Sequence, residues 1–504
     1  MSICTISGLE EYAPSLSSPW NIQRIHHLFA RLQFGASKET KLEALQVSSP
    51  VDFIKGLIEE AKALEPTPIS EFNQMTTNEI KDYIRENVNG RFAFATKNYS
   101  RNARIGVLKG YINGNTLRDR VAFILSNLIV TAQSGNYNYP ISLQYYSKLE
   151  KYALGNYKDL IREIGTDPMM LVYLDGVSNT KNKPNENFAR EFYELFTLGA
   201  DNGYTQQDIV ETARAFTGWR RGGADNSTIS YFTANRFDNG EKTIFGQTGN
   251  WGYDDVIDIV FEHRSEQIAK YVCTRMYQEF ISVDVNEDIV AVLSQTFLDH
   301  GFEMAPMLSQ LLCSQHFFEE NTFSTIIKSP IDLFINWWND FSPSFRNRYN
   351  QDNTLDASVI SLSQTILSPP SVFGWPGDTE WITTELLPFR WELLKDFINE
   401  TYRGNAASFS DFVIGIPKSG SSTEFLTINE TNPEVVVNSV IDYMFPRGIS
   451  NAAIREEMVE VFKSEDVPMS YYEDQTWDLS YETVNDQCLD LIMALIQLPD
   501  FQLR

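Results

Sequence analysis

The stretch LRDRVAFILSNLIV, residues 117–130, limits the possible folds more than any other in this chain. From Val121 to Val130 apolar side chains cover most of a helix's circumference, which marks a helix buried on every side. A length of 504 residues supplies enough chain to enclose it, and to form two or more structural lobes. Amphipathic segments are available for the purpose. RIHHLFARLQFG sets Ile25, Leu28, Phe29 and Leu32 at helical spacing and ends on Gly35, a natural helix stop. VDFIKGLIEEAKAL, TTNEIKDYIRENV, residues 253–318 and IIKSPIDLFINWW continue the helical pattern. The expected fold is mainly α: a large multi-helix globular protein.

After Trp219 the period shortens. STISYFTANRF and DNGEKTIFG predict two short strands about an Asn239-Gly240 turn, a small β-hairpin insertion near residues 228–246. SPPSVFGWPGDTEW, with its prolines and glycines, reads as an ordered loop. The polar run PKSGSSTEFLTINETNP divides the chain into a main helical domain (1–415), a linker (416–433) and a C-terminal helical segment (434–504).

Charge removes whole classes of function. Lysine and arginine number 41 against 67 aspartates and glutamates, a formal net charge of −26, and no basic stripe compensates. Such a field repels phosphate backbones and anionic lipid, so nucleic acid is not an expected partner and membrane docking is not an expected role. No segment approaches a membrane span. The opening MSICTISGLEEYAPSLSSPW lacks both the positive charge and the apolar run of a leader, which makes the expected location cytoplasmic.

Metal and cofactor chemistry find little support. Cys4, Cys273, Cys313 and Cys488 are too scattered for a CxxC motif, and Cys273 and Cys313 read as small buried hydrophobes. The five histidines show no HExxH or His-x-His spacing. His26 and His27 point about 100° apart on one helix and read as structural. Ser126 and Ser329 lack a GxSxG context, and neither a dinucleotide nor a P-loop fingerprint occurs. No metal and no cofactor are expected.

The strongest chemical signal is PNENFAREFYELFTLG, residues 184–199. Phe188, Phe192, Leu195 and Phe196 form one helical stripe; Glu186, Arg190 and Glu194 form a second, with Asn187 and Glu191 beside it. Paired carboxyls of unequal pKa perform general acid–base chemistry, and an arginine can keep one ionised or clamp an anion. That reading makes Glu186, Arg190 and Glu191 catalytic, with Asn187, Glu194 and Asp208 in support. The alternative makes the same residues ordinary i,i+4 pairs on a wet face, worth a few tenths of a kcal/mol each. Asp238 and Lys242 either reach this helix from the hairpin or simply form its turn. Trp219 and Trp375, like Trp381, either stack on a ligand or fill gaps between helices.

HHLFARLQFG, DPMMLVYLDG, PNENFAREFYELFTLG, YTQQDIVETARAFTGW, GEKTIFG, IKSPIDLF and SPPSVFGWPGDTEWIT occur in one order over about residues 24–390. With these motifs the chain resembles a bacterial family, domain of unknown function 1800 (DUF1800). The resemblance implies a companion protein of alkaline-phosphatase type encoded nearby. Because many members carry export signals, it also implies a periplasmic or extracellular location. Two departures bear on chemistry. Many members have a Phe-Trp-His-Asn-His-Phe run where this chain has AFILSNLIV, and a His-Asp pair where it has Phe237-Asp238. Any chemistry those histidines perform is either lost here or carried by carboxylates. Two functions are therefore expected from different classes. One is a metal-independent enzyme acting on an envelope-associated polymer such as a polysaccharide. The other is a non-catalytic binding or assembly protein in which the charged helix is structural.

Overall fold

The helix expected to be buried on all sides runs from Leu117 to Leu128, and Val121 through Leu125 are all buried. Thr116 and Asp119 close a capping box at its start. Helices Pro50–Lys62, Phe92–Asn113 and Tyr139–Tyr152 pack around it. Helix Pro330–Phe341 is joined to it through Arg120 and Asp332. In this computed structural model the described residues are 8–67, 92–132, 139–223, 228–341, 348–402 and 409–504, with isolated positions between 76 and 86. Most of TTNEIKDYIRENV, together with Cys4, lies outside them.

The architecture is mainly α, with two small two-stranded antiparallel sheets among the described residues. Helix Ile22–Leu32 begins at the Asn21 cap and packs against Lys38–Leu45 and Pro433–Met444. His26 and His27 are buried in it: His27 Nε2 lies 3.0 Å from Phe317 O, and His26 Nδ1 lies 3.2 Å from Lys41 Nζ. Both are structural, as read. Cys273, Cys313 and Cys488 are buried free thiols. Between helices Phe409–Val413 and Pro433–Met444, Ile416 and Leu426 are buried and Lys418 pairs with Glu430 at 2.7 Å. No described helix is long and apolar enough to cross a membrane.

The hairpin region differs from expectation in its pairing. Strand β1 (Trp219–Arg221) pairs with β2 (Ser230–Phe232), and β3 (Lys242–Ile244) pairs with β4 (Gln247–Gly249). The strands either side of Asn239-Gly240 therefore do not pair with each other. Asp238 explains why: it accepts from Gly240 N at 2.8 Å and from Arg214 Nε at 2.8 Å, so the turn is tied to a helix rather than closing a ladder. The hairpin turn falls instead at Phe245-Gly246, both at positive φ (48° and 80°), the geometry that matches strand twist.

Residues 502–504 return to pair with residues 326–328. Ile327 bridges Leu503, Arg504 N donates to Ile326 O at 2.8 Å, and Lys328 N donates to Gln502 O at 2.7 Å. This brings Arg504 against the first turn of helix Pro330–Phe341.

Candidate functional site

The singled-out helix is α-helical from Glu186 to Glu191 and widens into a π-helical turn from Phe192 to Thr197. A π-turn releases carbonyls that an α-helix would use itself. Here Tyr271 and Tyr157 take them up, donating to Leu195 O at 2.8 Å and Phe196 O at 2.7 Å. Phe188, Phe192 and Phe196 are buried and Leu195 is partly so, which makes them the core face that their spacing predicts.

Among the described residues, the polar face is hydrogen-bonded to helix Gln206–Ala215 through Gln206. Gln206 Nε2 donates to Glu186 Oε2 at 2.8 Å, and Gln206 Oε1 accepts from Arg190 Nη2 at 3.0 Å. Arg190 lies 3.7 Å from Glu194. Glu186 and Asn187 are exposed, while Arg190, Glu191 and Glu194 are partly covered. Burial raises the pKa of Glu191, Glu194 adds to the rise and Arg190 opposes it. Burial also raises the pKa of Tyr173, with the Glu191 charge adding to it.

Asp208, Asp238 and Lys242 serve the hairpins. Asp208 is buried in a capping box with Thr205, and its other oxygen accepts from Phe245 N at 2.8 Å. Asp238 is held below the usual carboxylate range by its bond to Arg214. Lys242 is buried, with Nζ 2.6 Å from Asp238 O, 3.0 Å from Gly240 O and 4.7 Å from the centre of the Phe237 ring. Trp219 packs edge-on to Phe232. Among the described residues, no hydrogen bond or ion pair joins this group to Glu186 or Glu191.

Trp375 belongs to another place altogether. It is buried, its N donates to Asn127 Oδ1 at 2.7 Å, and its ring lies over Phe123. It forms part of the wall of a cavity of about 190 Å3. Phe123 and Trp381 complete the aromatic side, and Arg275, Glu279, Asp332 and Arg504 supply charge. Behind that wall Asp332 Oδ1 accepts from Arg120 Nη1 at 2.6 Å, while Arg504 Nε stands 3.3 Å from Oδ2. Ser329 Oγ donates to the same oxygen at 2.9 Å and caps the helix. Burial pushes the Asp332 pKa up, but Arg120 and Arg504 outweigh it and hold the carboxyl well below the usual range. Trp375 Nε1 and Arg504 Nε have no hydrogen-bond partner among the described residues. Nor does any described group of three or more His, Cys, Asp or Glu suit a metal ion.

The family described as protein of unknown function (DUF1800) matches residues 27–503. The chain belongs to the DUF1800 family. Comparison with curated proteins and with solved structures finds no match.

In this DUF1800 protein the aromatic wall was half legible, through Trp375 and Trp381. Its charges were not. Arg120 sits in LRDR at the head of the apolar run, and Asp332 sits in SPID, a capping-box pattern. A charge placed inside an apolar helix is a signal that it has a buried partner. Arg275 and Arg504 carry no comparable mark.

Proposed function

We propose that this chain is a binding protein and that its ligand is a small polar molecule seated in the cavity walled by Trp375, Trp381 and Arg504. One observation carries this reading: aromatic faces and guanidinium groups line the same concavity. Sites for small molecules combine such apolar walls with a few placed polar groups. The cavity is small, about 190 Å3, which suits a single ring better than a long segment. In this reading Glu186, Arg190 and Gln206 clamp two helices together.

The test is native mass spectrometry after exposure to a small-molecule extract. Val283, exposed and part of the cavity lining, is the place to block it. The expected result is an adduct on the unmodified protein and on Glu191→Gln, lost in Val283→Trp. An adduct that survives Val283→Trp, or none on any form, removes the reading.

One observation favours a second reading, catalysis by the Glu186 helix on an envelope-associated polymer. The raised pKa of Glu191 beside Glu194 suits a general acid. Loss of polysaccharide turnover in a folded Glu191→Gln variant would support it, and unchanged turnover would end it.

A further inference from the structure

We infer that Asn202 is a site of spontaneous deamidation, left open by the fold while the other described Asn-Gly pairs are held shut. The dipeptide Asn-Gly begins at positions 89, 113, 202 and 239, and the first of these lies outside the described residues. The reaction uses the backbone nitrogen that follows the asparagine. That nitrogen gives its proton to hydroxide and attacks Cγ of the side chain. A bond from N to Cγ forms, the bond from Cγ to Nδ2 breaks, and ammonia leaves with a proton taken from water. Water then opens the resulting succinimide at either carbonyl, giving aspartate or an isoaspartate whose Cβ has entered the main chain. Glycine favours the attack because it has no Cβ beside the nucleophile.

All three described pairs are exposed, so access does not separate them; the state of the glycine nitrogen does. Gly114 N donates to Gly110 O at 2.8 Å, and Asn113 is the last residue of helix Phe92–Asn113. Gly240 N donates to Asp238 Oδ1 at 2.8 Å. Arg214 fixes that carboxylate in turn, with Nε 2.8 Å from Oδ2 and Nη2 3.2 Å from Oδ1. Gly203 N has no hydrogen-bond acceptor among the described residues. The Asn202 side chain is restrained only by a neutral bond, Nδ2 to Leu198 O at 2.7 Å. A neutral hydrogen bond slows a step that must break it by up to about tenfold, and one to a charged group by about tenfold to a hundredfold. The order of reaction in the folded chain is therefore Asn202 before Asn239.

The product alters the join between two helices. Asn202 Nδ2 ties the loop to Leu198, the residue that ends the π-helical turn after Glu191. A carboxylate in its place has no N–H to donate and sets negative charge against the carbonyl end of a helix. Isoaspartate also lengthens the main chain just before Gly203, whose carbonyl accepts from Arg264 Nε at 2.7 Å. This loop leads into helix Gln206–Ala215, so the modification loosens the connection beside the Gln206 clamp.

Peptide mapping by mass spectrometry tests this on the full chain, aged at mildly alkaline pH in buffer and in urea and then digested in acid. An isoaspartate-specific methyltransferase labels the rearranged product. In buffer, Asn202 should be modified about tenfold faster than Asn239, and in urea the two should react alike. Asp238→Ala, with its fold checked by circular dichroism, should speed Asn239 about tenfold in buffer and leave Asn202 unchanged. Asn202 staying intact in buffer while it reacts in urea overturns the site, and so does its staying intact in both. Asn239 keeping pace with Asn202 in the folded chain overturns the protection by Asp238, as does an Asn239 rate indifferent to Asp238→Ala.

Discussion

Arg120 and Asp332 lie 212 positions apart in the chain and meet at 2.6 Å, both side chains almost wholly removed from solvent. Arg120 leaves the buried helix Leu117–Leu128, and Asp332 opens helix Pro330–Phe341, so the pair fixes the angle between two elements of the core. Removing Arg120 leaves Asp332 with Arg504 and Ser329, so the cost should fall short of the about 3–5 kcal/mol of a fully stranded buried charge. Arg120→Met is therefore expected to lower urea-unfolding stability by about 1–3 kcal/mol. Because the folded pKa of Asp332 is depressed, the pair's contribution is full above the unfolded value of about 3.9 and is lost as pH falls through the folded value. The penalty of Arg120→Met should accordingly shrink in acid.

Lys328 moves stability in the same direction, at alkaline pH. Burial, with Arg390 and Lys41 adding to it and Asp340 and Asp332 opposing, lowers its pKa from 10.5 to about 8. Between those values the unfolded chain binds more protons than the folded one, so this group makes stability rise with pH. At about 1.4 kcal/mol per unit, the full rise is at most about 3.5 kcal/mol. Three thiols whose pKa burial raises, Cys273, Cys313 and Cys488, oppose this rise over the same range, so the contribution is read by difference. In urea titrations from about pH 8 to 9.5, Lys328→Met should show a less positive slope than the unmodified chain.

How much of this was readable from residues alone depends on whether a side chain's role is local. Val121 to Val130 announces its own burial because a helix apolar all round has no other place to go. Asn239-Gly240 misled because a turn dipeptide gives a local bend but not its partners: Arg214, 24 positions before Asp238, decided those. The polar stripe of Glu186, Arg190 and Glu194 was visible by spacing, while its partner Gln206 carries no chemical signature. The cavity was least legible of all, since its walls come from segments as distant as Phe123, Arg275, Trp375 and Arg504, and only the fold adds them together.

The loop that forms the aromatic wall depends on one close approach. A Cβ on Gly374 would lie 2.1 Å from Asn127 Oδ1, the atom that accepts from Trp375 N, and Gly374 has φ +81°. Gly377, at φ +72°, has nothing within 4 Å. With ψ −175° it lies in a region essentially restricted to glycine, so Gly377→Ala should cost backbone strain of roughly 1–3 kcal/mol but no clash. Gly374→Ala should cost more, roughly 2–4 kcal/mol, and displace the loop. Thermal unfolding measures the first difference, and loss of cavity binding in Gly374→Ala alone measures the second.

Gln206 links Glu186 to Arg190 on an accessible surface, where contacts are weak. Gln206→Ala is expected to lower stability by less than about 1 kcal/mol in urea unfolding. A loss of several kcal/mol would mean that this helix pair is far more rigidly coupled than its exposure indicates.

Glu191 supplies the sharpest test of its own surroundings. Its pKa is raised by burial, then by the Glu194 charge, with Arg190 pulling the other way. Carbon-13 NMR of the side-chain carboxyl should place its midpoint above the ordinary glutamate value of about 4.3. Glu194→Gln should lower that midpoint by removing a like charge, and Arg190→Gln should raise it by removing an opposite one. A midpoint indifferent to both substitutions would leave burial as the sole cause. The acid–base reading of this helix would then lose its coupled pair, because two carboxyls that do not sense each other's charge cannot set one another's protonation during a reaction.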